Sequence, residues 1–309
     1  MIKLHIEIYS GGADMKDLLP FSFDKNALNM LPRRAPRSNK GDYGRLLCIC
    51  GSEGMAGAAY LCAKAAYRSG AGLVEIFTHR CNVVPLQASL PEAIITPYDD
   101  GYTQPTLIAS LERADAIVIG CGLGVTPLSR KILSDLLRSE ARLQKPLLID
   151  ADAINLLARN RSLLKYVKGA ILTPHFMEAS RLLDTPINEL MADTCAAAHS
   201  IASRFGAICV MKDHESAVSD GSARVYTNKS GNAGMATAGS GDVLAGIIGG
   251  LLAQTVRAIP SVDSFGAATL GVYIHGLAGD GAALRYGEYS LMASDIIDAI
   301  PAVLSTRGV

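Results

Sequence analysis

The placement of glycine constrains the fold of this chain more than any other feature of its sequence. The 30 glycines cluster at the ends of short apolar runs and are not spread evenly along the 309 residues. The run Leu46–Cys50 predicts a buried strand, and it is followed by the glycine loop Gly51–Gly57 and then by a helical segment that ends at Gly70. A strand, a glycine loop and a helix in this order are typical of an α/β fold with a mostly parallel sheet.

The same order recurs along the chain. Further strands are predicted at Leu73–Phe77, Asp115–Gly120, Pro146–Asp150, Ala170–Thr173 and Ala207–Met211. Helices are predicted at Pro127–Arg138, Asp152–Ala158, Glu178–Leu183, Leu190–Arg204, Asp242–Gln254, Ser264–Leu284 and Ser294–Leu304. Asp220 and Gly221 separate two alternating segments, which predicts a hairpin and an antiparallel edge on the sheet. We therefore expect a three-layer α/β domain with helices on both faces of a mostly parallel central sheet.

The first 39 residues differ in kind from the rest. They contain the basic segment Pro32–Lys40 and no long periodic segment. We expect residues 1–39 to form an N-terminal extension or connector and residues 40–309 to form a single domain. An arm that packs on a neighbouring subunit is the alternative for the extension.

Composition argues against several functional classes. Lys and Arg together number 29, as do Asp and Glu, and a net charge of zero does not suit a nucleic-acid surface. With 49% hydrophobic and 19% charged residues, the chain is also unlike a disordered protein. The longest apolar run, Val243–Ala253, is well short of the roughly 20 residues that span a bilayer, and the N-terminus does not resemble a signal peptide. Seven cysteines without zinc-type spacing indicate a reduced, cytoplasmic protein, with Cys48 and Cys50 in its core.

The segment Gly231–Ala253 gives the strongest site prediction, because a loop of small residues runs directly into an apolar helix. Backbone N–H groups at a helix start bind anions, and phosphate is the natural ligand. Asp242 could simply cap this helix and contribute about 1 kcal/mol. A cap alone does not require Gly239 and Gly241, however, so we predict that the N–H groups of Ala238–Gly241 bind phosphate.

Seven segments together resemble the ADP/ATP-dependent NAD(P)H-hydrate dehydratases of the ribokinase-like superfamily. They are Lys40–Gly44, Gly51–Ala59, Arg68–Val74, Ala114–Gly124, Leu148–Ala158, Ile171–His175 and Gly231–Gln254. The resemblance covers about Lys40 to Leu304 and implies a ribokinase-like fold. It also implies a metabolite-repair reaction in which ADP or ATP phosphorylates the C6 hydroxyl of hydrated NADH or NADPH and phosphate then leaves. Phosphate is a far better leaving group than hydroxide, since water has a pKa of about 15.7 and a phosphate ester a second pKa of about 6.

The resemblance further implies Mg²⁺ carried by the nucleotide and a homotetramer. Some members carry an epimerase domain ahead of this one; forty residues cannot hold it, so we expect that activity on a separate chain.

The resemblance also assigns roles to residues of this sequence. Asp242 is the catalytic group that accepts the proton of the substrate hydroxyl, and its place at a helix N-terminus predicts a lowered pKa. Substrate contacts are implied for Ala58, Gly124, His175 and Asp242. Nucleotide contacts are implied for Lys212, Asp213, His214, Glu215, Ser216, Asn232, Ala238, Gly239, Ser240 and Gly241. Glu178 is expected to help organise the metal indirectly.

Three positions depart from the family pattern. Lys212–Ser216 reads KDHES where the family usually has KGAGT, so two glycines are lost and Asp213 and Glu215 would repel phosphate. Phe176-Met177 replaces Pro-Gly, which alters the loop, and Cys121 replaces a proline. The first departure predicts a changed nucleotide preference or a weaker nucleotide affinity.

Two other functions stay open from the sequence. One is a small-molecule alcohol kinase of the same superfamily, of the hydroxymethylpyrimidine or thiazole type, although His175 replaces the asparagine of such kinases. The other is a nucleotide-binding regulator without catalysis, which only the KDHES segment supports. Asp150 and Asp152 could bind a metal, but Asp152 is placed to cap the helix that follows it. ADP or ATP, and NADH or NADPH hydrate, are also left open.

Overall fold

A ten-stranded sheet forms the centre of this protein, seen in a computed structural model that describes residues 18–31 and 33–306. Its strands are β1 (Leu19–Phe21), β2 (Arg45–Ile49), β3 (Leu73–His79), β4 (Ile94–Tyr98), β5 (Ala116–Ile119), β6 (Leu147–Ile149), β7 (Ile171–Leu172), β8 (Ile208–Met211), β9 (Ala217–Ser219) and β10 (Arg224–Thr227). Their spatial order is β1-β10-β9-β8-β7-β6-β5-β2-β3-β4. Neighbouring strands are parallel except for the pairs β8–β9 and β9–β10. The predicted mostly parallel α/β fold is confirmed.

Helices cover both faces of the sheet. They are α1 (Ala56–Arg68), α2 (Val83–Ser89), α3 (Gln104–Arg113), α4 (Pro127–Arg138), α5 (Ala151–Arg159), α6 (Phe176–Leu183), α7 (Ile187–Met191), α8 (Thr194–Phe205), α9 (Ser240–Thr255), α10 (Ser264–Tyr286) and α11 (Ala293–Ser305). Strand residues alternate between two apolar cores, so that Leu46 and Cys48 face one core and Leu47 and Ile49 the other. The first core includes α1, α2, α9, α10 and α11, and the second includes α3 to α8. Within the described ranges, no helix has the length and apolarity needed to cross a bilayer.

The antiparallel hairpin lies one strand inside the sheet edge. β9 and β10 form the hairpin that Asp220-Gly221 predicts, but β1 pairs in parallel with β10 and becomes the edge strand. The described part of the predicted extension therefore packs on the domain, with the ring centroids of Phe21 and Phe23 at 5.6 Å and 4.7 Å from that of Tyr226. Residues 1–17 and 32 of the predicted extension lie outside the described residues. The domain boundary at residue 40 stays a prediction.

The central strands bring their carboxyl ends to one edge of the sheet. β5, β6, β7 and β8 are successive parallel neighbours, so the residues that directly follow them come together there. Ligands bind at this edge in open α/β folds. The N-terminus of α9 reaches the same edge, since a Cβ atom built on Gly241 would lie 3.5 Å from Lys212 Nζ, just beyond β8.

Candidate active site

A buried carboxylate, Asp150, connects three strand ends. It directly follows β6, has 1% of its surface exposed, and accepts hydrogen bonds from Thr173 Oγ1 at 2.6 Å and from Lys212 Nζ at 2.8 Å. Thr173 follows β7 and Lys212 follows β8. Sequence reasoning left Asp150 as an uncertain metal ligand and missed Thr173. Their positions after predicted strands were the signal, but the order of strands in the sheet was needed to join them.

Lys212 is the cation at the centre of this edge. Its Nζ lies 2.8 Å from Asp150 Oδ1 and 4.0 Å from Glu178 Oε2, and its side chain is mostly buried. Burial alone would lower the pKa of Lys212, but the two carboxylates outweigh burial and raise it. The ammonium group therefore stays charged at neutral pH.

Asp242 lies in the first turn of α9 without capping it. Gly239, in the left-handed region with φ of 89°, is the N-cap residue and makes no side-chain cap bond. One ligand atom each of Asp242, Asp150 and Cys121 lies within 4.8 Å of the others. Burial and the Asp150 charge raise the pKa of Asp242 to about 7. The predicted lowering of this pKa is wrong, because loss of solvation and a neighbouring carboxylate outweigh the helix N-terminus.

His175 and Glu178 form a capping box at the start of α6. His175 Nδ1 accepts hydrogen bonds from the N–H groups of Met177 at 3.1 Å and Glu178 at 3.3 Å, and Glu178 Oε2 accepts from the His175 N–H at 3.0 Å. Burial and the charges of Lys212 and Arg181 lower the pKa of His175, so the ring is neutral and carries its proton on Nε2. Half of the side chain is exposed, and its Nε2 lies 3.5 Å from Glu178 Oε1.

Phe176-Met177, in place of Pro-Gly, forms the first turn of α6 within this box. Burial also raises the pKa of Glu178, to about 7.

The glycine loop before α9 is fixed by two groups from α10. Asp280 accepts hydrogen bonds from the Gly231 N–H at 2.9 Å and from Asn232 Nδ2 at 3.0 Å. His275 Nε2 lies 3.3 Å from Ser240 Oγ, and burial lowers the pKa of His275 to about 4, so the ring is neutral. The Asn232 side chain thus shapes the loop that leads to Ala238–Gly241. The sequence predicts a polar contact for Asp280 within this helix, and the packing of α10 against the loop identifies its partners.

The KDHES segment forms a compact turn beyond Lys212. The Asp213 carboxylate accepts from Thr194 Oγ1 at 2.9 Å and pairs with His214 Nδ1 at 3.0 Å, and Ser216 Oγ donates to the Asp213 carbonyl at 3.1 Å. The Asp213 carboxylate, which the sequence predicts to repel phosphate, is therefore already bonded to Thr194 and His214. Glu215 is exposed.

Ala58 and Gly124 lie on two neighbouring segments, the start of α1 and the loop after β5. Ala58 is near the start of α1, and a Cβ atom built on Gly122 would lie 2.7 Å from the Ala58 Cβ. Gly124 follows β5, and its N–H donates to Asp152 Oδ2 at 2.8 Å. Asp152 therefore fixes the loop after β5, and the expectation that it caps α5 is wrong, since the N-cap of that helix is Asp150.

The donor set of this edge suits a hard divalent cation. Asp150, Glu178 and Asp242 offer carboxylate oxygens. The ammonium group of Lys212 lies against the carboxylates of Asp150 and Glu178. Mg²⁺ binds through one or two carboxylates together with phosphate oxygens and water. The residues present therefore fit Mg²⁺ that arrives with a nucleotide.

Substitution of Gly120 with alanine is expected to destabilise the protein and disturb Asp150. Gly120 has φ of 130°, and a Cβ atom there would lie 1.9 Å from the Asp150 carbonyl oxygen. We expect the free energy of unfolding to fall by about 3 kcal/mol or more, measured by urea denaturation. Gly169→Ala is the matched control. Gly169 also has a positive φ, of 75°, but no atom lies within 4 Å of the added Cβ. This substitution should lower the free energy of unfolding by only about 1–2 kcal/mol. Equal losses in the two variants would show that the close approach to Asp150 is unimportant.

Comparison with known proteins gives a consistent result for this architecture. Residues 46–302 match the family model described as NAD(P)H-hydrate dehydratase. The ADP-dependent (S)-NAD(P)H-hydrate dehydratase of Neisseria meningitidis is 41% identical over 251 residues, which cover 80% of each chain. The chain also matches bifunctional NAD(P)H-hydrate repair enzymes and spans about half their length.

Solved structures share the fold. A ribokinase-like superfamily protein from Enterococcus faecalis has a TM-score of 0.77 and 33% identity, with 93% of this chain and 95% of that one covered. The ADP/ATP-dependent NAD(P)H-hydrate dehydratase of Bacillus subtilis, co-crystallised with ATP and Mg²⁺, has a TM-score of 0.74 and 27% identity, with 90% and 95% covered.

Proposed function

Because this chain belongs to the NAD(P)H-hydrate dehydratase family, we propose that it restores NADH or NADPH from the form hydrated at C6 of the nicotinamide ring. The reaction consumes ADP or ATP as the phosphoryl donor. The observation that carries the proposal is the position of Asp242 in the first turn of α9, beside Asp150, with a pKa of about 7. A partly buried carboxylate at a helix start that binds phosphate is suited to activate a hydroxyl group for phosphorylation.

Asp242 acts as the general base in the first step. It accepts the proton of the C6 hydroxyl while the terminal phosphoryl group of the nucleotide transfers to that oxygen. A general base works best when its pKa lies near the working pH, and a pKa of about 7 meets this condition. The raised pKa makes Asp242 a stronger base than an ordinary surface aspartate.

Two kinds of group hold the phosphoryl group. The N–H groups of Ala238–Gly241 lie at the positive end of α9, and donors fixed in advance stabilise charge that develops on phosphate oxygens. Lys212, which lies beside Gly241, adds a full positive charge. Mg²⁺, when bound with the nucleotide, neutralises phosphate charge, and Asp150 and Glu178 are the carboxylates that would hold it.

The second step breaks the bond between C6 and its oxygen. Phosphate leaves with that oxygen, the ring loses one proton, and a ring double bond forms, so the overall change with ADP is hydrate plus ADP to NAD(P)H, AMP and phosphate. The neutral His175, whose side chain is half exposed, would donate a hydrogen bond from Nε2 to the nicotinamide nucleotide. Ala58 and Gly124 are small residues, so they leave room for the nicotinamide ring.

The proposal is tested by supplying NADH hydrate with ADP, with ATP and with no nucleotide. We expect the absorbance of the dihydronicotinamide ring to return only when a nucleotide is present. A stable phosphorylated alcohol would instead indicate a small-molecule kinase, and tight ADP binding with no turnover would indicate a regulator. Either result would refute the proposal.

The pH dependence of turnover follows from the pKa of Asp242. A base must be deprotonated to act, so kcat is expected to fall as the pH drops below about 7. The charge of Asp150 contributes to the raised pKa, and Asp150→Asn should therefore move this acidic limb to lower pH. The measurement is kcat against pH for both proteins at saturating substrate. An unchanged midpoint in the variant would contradict the coupling between the two carboxylates.

Two further features stay predictions. They are a cytoplasmic location, which the cysteine content indicates, and assembly as a homotetramer, which the family resemblance implies. Sedimentation of the purified protein tests the second of them.

A further inference from the structure

Three buried cysteines from different elements meet behind the active site. Cys50 directly follows β2, Cys62 lies in α1, and Cys121 follows β5. None of the three has any exposed surface, and their sulfur atoms all lie within 4.8 Å of one another. The proposed reaction uses none of these thiols. We refer to them as the thiol cluster.

We propose that the thiol cluster is a binding site for a soft monovalent cation, Cu(I). Thiolate sulfur is the donor that selects this ion. A metal–sulfur distance of about 2.3 Å, as found for zinc thiolates, places the sulfurs of a planar three-coordinate site about 4.0 Å apart. The observed spacing already lies within 4.8 Å, so small side-chain movements complete the site.

The surroundings of the thiol cluster favour Cu(I) over other metals. In the described part of the chain, the cluster is one of two groups of three or more His, Cys, Asp or Glu side chains that could share an ion, and it holds sulfur alone. Hard ions such as Mg²⁺ prefer oxygen, and structural Zn²⁺ takes four ligands. The nearest further sulfur is that of Cys48, 3.9 Å from Cys62 Sγ, and it does not belong to the set of three.

Cys121 links the thiol cluster to the active site. Its thiol donates to Asp150 Oδ2 at 3.7 Å and also lies within 4.8 Å of Asp242. The thiol cluster therefore lies directly beside the carboxylates of the candidate active site. Two thiolates and one neutral thiol bind one Cu(I) ion, so binding releases two thiol protons and the site gains one net negative charge. No electron is transferred.

This inference does not depend on the proposed reaction, because it concerns binding alone. It has a consequence for that reaction, however. Cys121 cannot hold a metal and keep its contact with Asp150 unchanged, so the loaded protein should turn over more slowly.

The experiment is an anaerobic titration with Cu(I) against a coloured Cu(I) chelator, followed by native mass spectrometry. We expect one copper per wild-type chain, and at least a tenfold loss of affinity in Cys62→Ser and Cys121→Ser. Cys209→Ser is the matched control, because Cys209 is equally buried but lies in the other apolar core. It should bind copper as the wild type does.

Absence of copper from the wild-type chain in the presence of the chelator would overturn the proposal, whatever the variants do. Equal losses of affinity in Cys62→Ser and Cys209→Ser would also overturn it, because they would indicate a general effect on the fold. Thermal unfolding identifies variants that do not fold. If Cys62→Ser is one of them, Cys50→Ser replaces it with the same expected loss.

Discussion

Asp242→Asn is expected to reduce turnover of the NADH hydrate by about 10²–10⁴-fold while leaving nucleotide affinity within a few-fold of wild type. The amide keeps the size and polarity of the side chain but cannot accept a proton from the substrate hydroxyl. Asp242 makes no cap hydrogen bond to α9, so the helix start that we propose binds phosphate should be unchanged. The measurements are kcat with saturating ADP and the ADP dissociation constant by calorimetry.

A matched control distinguishes the loss of the general base from the loss of a negative charge in the first turn of a helix. Asp295 occupies the same position in the first turn of α11, where its Oδ2 accepts from the Met292 N–H at 2.9 Å. Asp295→Asn should therefore lower stability slightly and leave turnover unchanged. Near-normal turnover in Asp242→Asn would remove the general base from the mechanism.

Lys212→Met is expected to produce the largest loss of stability. The substitution leaves the carboxylates of Asp150 and Glu178 buried without their cation, and breaking a buried ion pair from one side costs about 3–5 kcal/mol. Nucleotide affinity should fall as well, since Lys212 lies beside the N-terminus of α9, the proposed phosphate site. Urea denaturation at neutral pH measures the first effect and calorimetry with ADP the second.

Two results would identify the unpaired carboxylates as the cause. Stability of Lys212→Met should recover as the pH falls. Burial already raises the pKa of Glu178, and loss of the Lys212 charge, which lowers this pKa in the wild type, raises it further, so that Glu178 binds a proton in the folded state. Addition of Asp150→Asn to the same chain should also recover part of the loss. Lys131→Met, which breaks an exposed pair with Asp135 at 2.7 Å, should cost less than about 1 kcal/mol. A similar small loss in Lys212→Met would contradict the electrostatic role of the buried pair.

Most elements could be predicted from sequence because glycine ends the apolar runs so sharply. The prediction of α4 at Pro127–Arg138 matches the structure residue for residue, since Thr126 and a proline mark its start. The predicted helix Leu190–Arg204 is instead two helices, α7 and α8, that break at Asp193, whose side chain caps α8. β4 escaped prediction because Pro97 interrupts it, which an edge strand tolerates.

The α9 N-terminus of the candidate site was predictable from local sequence, but the electrostatics around it were not. Gly239, Gly241 and Asp242 are neighbours in the chain, and their pattern predicts an anion site directly. Asp150 and Lys212 are 62 residues apart, and only the order of strands in the sheet places them at 2.8 Å. The pKa of Asp242 was mispredicted for the same reason, because burial and the nearby carboxylate are properties of the folded chain.

The central claim is that the C6 hydroxyl is phosphorylated before it leaves. Its most direct test supplies the protein with NADH hydrate labelled with oxygen-18 at that hydroxyl, together with ADP and Mg²⁺. The mechanism predicts that the label appears in the released phosphate, with one labelled phosphate for each NADH recovered. Recovery of NADH with the label in water would contradict it.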